Sequence, residues 1–326
     1  MRISRIASNL IIPISICVMG SCQKAELPIK KPATGDSIIG SVNVGQNYEK
    51  VIYFDLGTNA FVGESSKLNW DLGFSCQTED TYIILNAGKL MMAVQVTHTF
   101  EELNSPTSYL SQLRVDHPTG RRDSLAIKGP GVYLVDRGVD FDGNTLGYVK
   151  LEITENSNNQ VTGRIANLNG TNEQAINLTK NTTYNFIYLK WNNSDAFTTP
   201  TIEPAKDRWD IVFTQYSEIF YEPDYMPYMV FGCLLNQHQT KAVLVHDITY
   251  EELTLEKAEA IVLSTDLDAI GYNWKYYNFD TNIYTVDFEK VYLIQDQEGY
   301  YYKLRFIDFY STSGIKGNPT FEFQRL

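Results

Sequence analysis

From about residue 40 onward the chain alternates apolar and polar positions in short runs separated by turn residues, the period-two pattern of half-buried strands. Val51-Ile-Tyr-Phe-Asp-Leu56, Tyr82-Ile-Ile-Leu85 and Tyr148-Val-Lys-Leu-Glu-Ile153 are examples, and Asn158-Asn159, Asn169-Gly170 and Glu298-Gly299 stand where hairpins turn. Helical signals are few. Thr99 with Glu102 and Thr249 with Glu252 have the spacing of a capping box, in which each side chain caps the other's backbone N–H. The second pair leads into helix formers over Glu251–Leu263, whereas the first meets Ser105-Pro106, where a helix would restart at a first-turn Pro. The pattern predicts an all-β to β-rich α+β protein built from antiparallel sheets.

The pattern also repeats. Asn69-Trp-Asp-Leu-Gly-Phe74 recurs as Arg208-Trp-Asp-Ile-Val-Phe213, Thr99-Phe-Glu-Glu-Leu103 as Thr249-Tyr-Glu-Glu-Leu253, and Val132-Tyr-Leu-Val135 as Val291-Tyr-Leu-Ile294. Gly147-Tyr-Val-Lys-Leu151 then recurs as Tyr300-Tyr-Tyr-Lys-Leu304. A repeat this long indicates duplicated units rather than a solenoid. We expect unit one over residues 40–155, a bridging hairpin over 156–182 and unit two over 183–326, each with about one helix. An insertion in unit two lies between Trp209 and Tyr250.

Residues 1–21 follow a different pattern. Arg2 and Arg5 precede an apolar run from Leu10 to Val18, too short to span a bilayer, and Met19-Gly-Ser-Cys22 follows. This resembles a bacterial lipobox, so we expect a lipoprotein signal peptide over 1–21, lipidation at Cys22, and a polar tether over 22–39 leading to the fold. The chain carries 27 Lys+Arg against 39 Asp+Glu, a net charge of −12. That balance argues against nucleic-acid binding and against adsorption to anionic lipid, which leaves the covalent anchor to hold the membrane. With Cys17 in the signal and Cys22 lipidated, Cys76 and Cys233 remain, either as buried thiols or as a disulfide.

Trp209-Asp-Ile-Val-Phe213, the Tyr300-Tyr-Tyr-Lys-Leu-Arg-Phe306 strand and the ending Gly314-Ile-Lys-Gly-Asn-Pro-Thr-Phe321 resemble the HmuY family of Bacteroidetes lipoproteins. Unit two covers that family's pattern nearly end to end, and unit one follows its outline more loosely. The resemblance implies two tandem HmuY-like units, a β-rich fold, capture of haem as in founding members, and a place at the outer membrane beside a TonB-dependent receptor.

Haem iron takes His or Met as axial ligands in non-catalytic sites. His98 and His246 stand beside the two capping boxes, while His117 precedes Pro118 and His238 lies in the unit-two insertion; no His follows closely on Trp209-Asp-Ile-Val-Phe213. Met226 and Met229 belong to the inserted segment Tyr221-Glu-Pro-Asp-Tyr-Met-Pro-Tyr-Met-Val-Phe231. We read this as a Tyr/Met-rich loop whose Tyr221, Tyr225, Tyr228 and Phe231 suit a porphyrin, a protein or glycan interface, or a lid over a sheet edge. Trp70 and Trp209 are expected to fill cores, with Asp71 and Asp210 pointing outward or capping a turn. Asp140-Phe-Asp-Gly-Asn144 is expected to be a plain hairpin turn rather than a calcium loop. There is no G-x-S-x-G elbow, phosphate-binding Gly loop, H-E-x-x-H or Cys/His cluster, so neither an enzyme nor a metal centre is expected.

Overall fold

The alternating runs form strands throughout the computed structural model, which describes residues 34–326. The expected signal peptide, Cys17, Cys22 and the tether up to residue 33 lie outside the described residues. The first half of the chain runs β1 (Ile38–Ser41), β2 (Lys50–Asp55), β3 (Ala60–Ser66), β4 (Leu72–Ser75), β5 (Ile83–Leu85), β6 (Met92–Gln95), β7 (Gly131–Asp136), β8 (Tyr148–Asn156) and β9 (Gln160–Asn167). The second runs β10 (Gln174–Thr179), β11 (Phe186–Leu189), β12 (Ile211–Phe220), β13 (Met226–Leu235), β14 (Lys241–Val245), helix α1 (Leu255–Glu259), β15 (Lys275–Asn278), β16 (Ile283–Val286), β17 (Val291–Gln295), β18 (Tyr301–Tyr310) and β19 (Lys316–Arg325). All three predicted turn pairs fall between strands, and Gly170 and Gly299 take the left-handed conformation there, with φ of 80° and 87°.

Four of the five sheets form two matching pairs, and the fifth is the two-stranded β15–β16 hairpin. Two five-stranded antiparallel sheets have the orders β10-β9-β8-β7-β6 and β1-β19-β18-β17-β14. The two Trp-Asp motifs lead into the central strands of a β11-β4-β5 sheet and a β13-β12-β2-β3 sheet. Strands are shared between the halves. β1 pairs along β19 and β2 along β12, while β11 pairs along β4 with Leu189 opposite Leu72. The chain therefore enters a sheet at Ile38, within the last residues of the expected tether. Two large cores follow from this plan. One centres on Trp274, Phe306, Phe321 and Phe323, and the other on Tyr133, Leu151, Ile165 and Trp191. Full burial of each such side chain contributes roughly 1.5–3 kcal/mol.

Corresponding residues of the repeated motifs make matching hydrogen bonds. Asp71 Oδ2 accepts from Trp191 N at 2.7 Å, just past β11, and Asp210 Oδ2 accepts from Leu56 N at 2.9 Å, just past β2. Asn86 Nδ2 donates to Lys67 O and Trp70 O, as Asn236 Nδ2 does to Lys206 O and Trp209 O. Lys150 Nζ donates to Phe100 O at 2.8 Å, and Lys303 Nζ to Tyr250 O at 2.7 Å. Both Asp side chains are thus buried, at 2% and 3% exposure, and not turned outward. Simple strand alternation fails here because each carboxylate ties down the end of a strand from the other half.

Their electrostatics differ. Asp71 Oδ1 lies 2.7 Å from Lys89 Nζ and 3.6 Å from Arg137 Nε, both buried. Burial lowers the pKa of that lysine, and the Asp71 charge works against the shift. Among the described residues no ion pair holds Asp210. Burial, reinforced by Asp296, Asp55 and Glu298, raises its carboxyl to about 7.

The capping boxes form as expected: Thr99 N donates to Glu102 Oε2 at 3.0 Å and Thr249 N to Glu252 Oε2 at 3.1 Å. The helices they foreshadow are shorter than the propensities suggest. Each box closes a single turn, α1 spans five residues, and the matching stretch of the first half contains only a 3₁₀ turn at Leu110–Gln112. Phe100 and Tyr250 are fixed beneath these turns by the buried lysines, and that local anchoring overrides helix propensity. Asp140–Asn144 is the plain turn expected, with Asp140 Oδ1 accepting from Asp142 N and Asn144 N.

Candidate functional site

Two features present only in the second half build an aromatic groove. β12 and β13 are ten residues each where β4 and β5 are four and three, so the hairpin extends into a projecting arm. The β15–β16 hairpin pairs with no other sheet. Together with the β18–β19 turn and the segment around Tyr48, they enclose a groove of about 1120 Å³. The Tyr221–Phe231 segment is accordingly not a loop: Met226 to Phe231 lie in β13, and only residues 221–225 turn. Successive strand residues face opposite ways, so Met226 and Tyr228 share one face of β13 and Met229 and Phe231 the other.

Side chains of both hairpins line the groove, each hairpin packing its own rings together. Phe220 packs on Tyr228 with ring centroids 6.0 Å apart, and Tyr277 contacts Phe279 at 5.2 Å and Tyr284 at 5.1 Å. Tyr48 stacks on Phe231 at 5.0 Å, and Tyr310 Oη accepts from Tyr284 N at 2.7 Å. Several rings remain open to solvent; Phe279 is 84% exposed and Tyr276 57%. Two lysines stand in this wall. Lys316 lies 5.2 Å over the Tyr48 ring. Lys275 is buried, donates to Phe231 O at 2.5 Å and lies 4.1 Å from the Trp274 ring. Its burial lowers the amine pKa to about 7.

Of the residues singled out in the sequence, Met226, Tyr228, Met229 and Phe231 line this groove. Tyr221 and Tyr225 sit at the tip of the arm and pack on each other. The Tyr225 hydroxyl accepts from Val115 N, and the Arg114 guanidinium lies 4.7 Å over its ring. The two histidines are not brought together. His98 follows β6 and its Nδ1 lies 2.5 Å from the Tyr109 hydroxyl, while His246 is exposed just past β14. The repeat sets Val96, not His98, opposite His246, and neither histidine lines the groove. Sequence reasoning missed Tyr276, Tyr277, Phe279 and Tyr284, although the aromatic run from Tyr272 to Phe279 has no counterpart in the first half and was a usable signal. Cys76 and Cys233 are buried free thiols, and burial raises the pKa of both.

A family model described as HmuY protein matches residues 47–323. No curated protein matches the chain. An HmuY analogue from Tannerella forsythia aligns with 90% of this chain and 98% of its own at 8% identity and a TM-score of 0.33. PinO from Porphyromonas gingivitis aligns with 89% of this chain and 97% of its own at 11% identity and a TM-score of 0.28. A Bacteroides vulgatus protein assigned as HmuY-like and haem-binding covers 88% and 90% at 11% identity, with a TM-score of 0.23.

Proposed function

The chain belongs to the HmuY family, a family of binding proteins, and we propose that it captures haem or a related flat ligand in the second-half groove. The observation that carries this reading is the groove itself: about 1120 Å³, walled by aromatic rings from two hairpins, with two methionines on one of its strands. A porphyrin is planar and apolar, so stacked and edge-on rings suit its faces. Thioether sulfur is an axial ligand for haem iron. Because Met226 and Met229 face opposite sides of β13, we take them as alternative ligands rather than as a pair. Lys316, near Tyr48, is a natural partner for a propionate. No role falls to His98 or His246 in this reading, since neither lines the groove.

The protein would do this as a lipoprotein held at the outer membrane by Cys22, passing its ligand to a TonB-dependent receptor. No catalytic step is assigned to it. The exposure of Phe279 and Tyr276 favours a second reading, in which the same face meets a protein or a glycan.

Ferric haem titrated into the full chain tests the proposal. The expected result is a saturable Soret band, weakened roughly tenfold or more by Met226→Ala or Met229→Ala and unchanged by His98→Ala with His246→Ala. A featureless titration without saturation refutes it and leaves the interaction module. A band lost with the histidines and kept without the methionines moves the site elsewhere.

A further inference from the structure

The aromatic groove runs along a strand edge rather than over a sheet face. Met226 and Tyr228 belong to one face of β13 and Met229 and Phe231 to the other, yet all four line it. Side chains of opposite faces border one space where that space lies beside the edge of their strand. The same holds for the facing wall, where Lys275, Tyr276 and Tyr277 are consecutive in β15.

That edge is open. β13 is the outermost strand of its sheet, and among the described residues β15 pairs only with β16. At the base of the groove the chain is still paired: Cys233 N donates to Gly271 O at 3.0 Å, Gly271 N to Cys233 O at 2.9 Å and Leu235 N to Leu267 O at 2.8 Å. Toward the tip of the arm no strand continues this pairing, and the Lys275 side chain alone reaches back, to Phe231 O. Backbone groups alternate between the two edges of a strand, so the outward-bonding series of Leu235 and Cys233 continues as Phe231, Met229 and Pro227. The N–H groups of Phe231 and Met229 and the Met229 C=O therefore stand on the open edge. Pro227 has no N–H and ends the run of donors.

Uncovered strand donors and acceptors are a template for another extended chain. Recognition by an added strand draws affinity from such main-chain bonds and specificity from pockets for alternate side chains, which the rings on both faces of β13 supply here. Among the described residues the charged side chains of the lining are Lys275 and Lys316, both basic, in a chain of net charge −12.

We propose that the β13 edge takes up an extended peptide segment of a partner protein as an added strand, with an acidic residue of that segment against Lys316. This rests on the second reading of the groove, as a face that meets a protein.

The probe is a fluorescein-labelled peptide of about eight residues, alternating Val and Thr and ending in Glu. Fluorescence anisotropy with the full chain is expected to show saturable binding. N-methylation of one alternate set of peptide amides weakens it about tenfold, through loss of main-chain hydrogen bonds. Met229→Pro removes an outward N–H and weakens binding likewise, whereas Met229→Ala keeps that N–H and weakens it less. Lys316→Glu also weakens it. The N-methylated peptides carry the test if Met229→Pro does not fold. Absence of saturable binding to the unmodified chain overturns the proposal. Equal binding with either set of amides methylated also overturns it and leaves a groove read by side chains alone. Binding unchanged in Tyr228→Ala as well puts the peptide elsewhere, and the protein-facing reading of the groove then falls too. Self-association of the chain that Met229→Pro abolishes shows a second copy on this edge and overturns a separate partner.

Discussion

The two equivalent aspartates respond in opposite ways to loss of charge. Asp71→Asn leaves Lys89 and Arg137, whose side chains are 2% and 7% exposed, without their counter-charge. Breaking a buried pair from one side costs about 3–5 kcal/mol. Asp210→Asn removes no pair. Its carboxyl is raised from 3.8 to about 7, and at about 1.4 kcal/mol per pH unit the ionised form is disfavoured by roughly 4 kcal/mol. The Asn carbonyl still accepts from Leu56 N. Between the unfolded and folded pKa values the native state binds the extra proton, so this group makes stability fall as pH rises. Over about pH 5 to 7 the wild type therefore loses roughly 3 kcal/mol that Asp210→Asn does not lose. Urea unfolding followed by Trp fluorescence at pH 5 and pH 8 reads both effects. Asp71→Asn is expected to be strongly destabilised at both values, while Asp210→Asn gains on the wild type as pH rises. Equal losses in the two variants, or an unchanged pH slope in Asp210→Asn, refute the assignment of one paired and one unpaired carboxylate.

Two further outcomes follow from buried groups. Lys275, with its amine lowered to about 7, binds fewer protons folded than unfolded between that value and its ordinary one. Wild-type stability thus rises with pH through this window. Lys275→Met is expected to flatten that rise, and melting temperatures at pH 6 and pH 9 check it; an identical rise in the variant counts against a buried neutral amine. Cys76 and Cys233 are expected to resist a thiol reagent in the native protein and to react together on denaturation. Rapid native labelling, or no reaction after denaturation, contradicts two buried free thiols.

Much of the architecture was legible in the sequence because its signals are local. Period-two alternation marked the strands and Asn-Gly or Glu-Gly steps marked turns, while Thr and Glu three apart marked caps that do form. The doubled Trp-Asp motif marked residues whose surroundings match down to single hydrogen bonds at Asn86 and Asn236. Family membership was visible too, in the Trp-Asp, Tyr-x-Lys-Leu and closing Gly-Asn-Pro segments.

Pairings over long separations were left to the tertiary structure. A strand's apolar pattern says that it is buried, but not against which partner, so nothing in Val51–Phe54 indicates β12 or in Phe186–Leu189 indicates β4. The burial of Asp71 and Asp210 depends on those distant strand ends. Their contrasting charge states depend on Lys89 and Arg137 being near one and Asp296 near the other. The groove has the same origin: it is a surface assembled from segments far apart in the chain. The sequence by itself determined the strands, their turns and the repeat, because these depend on neighbours along the backbone. Only the fold decided which aromatics face a common space.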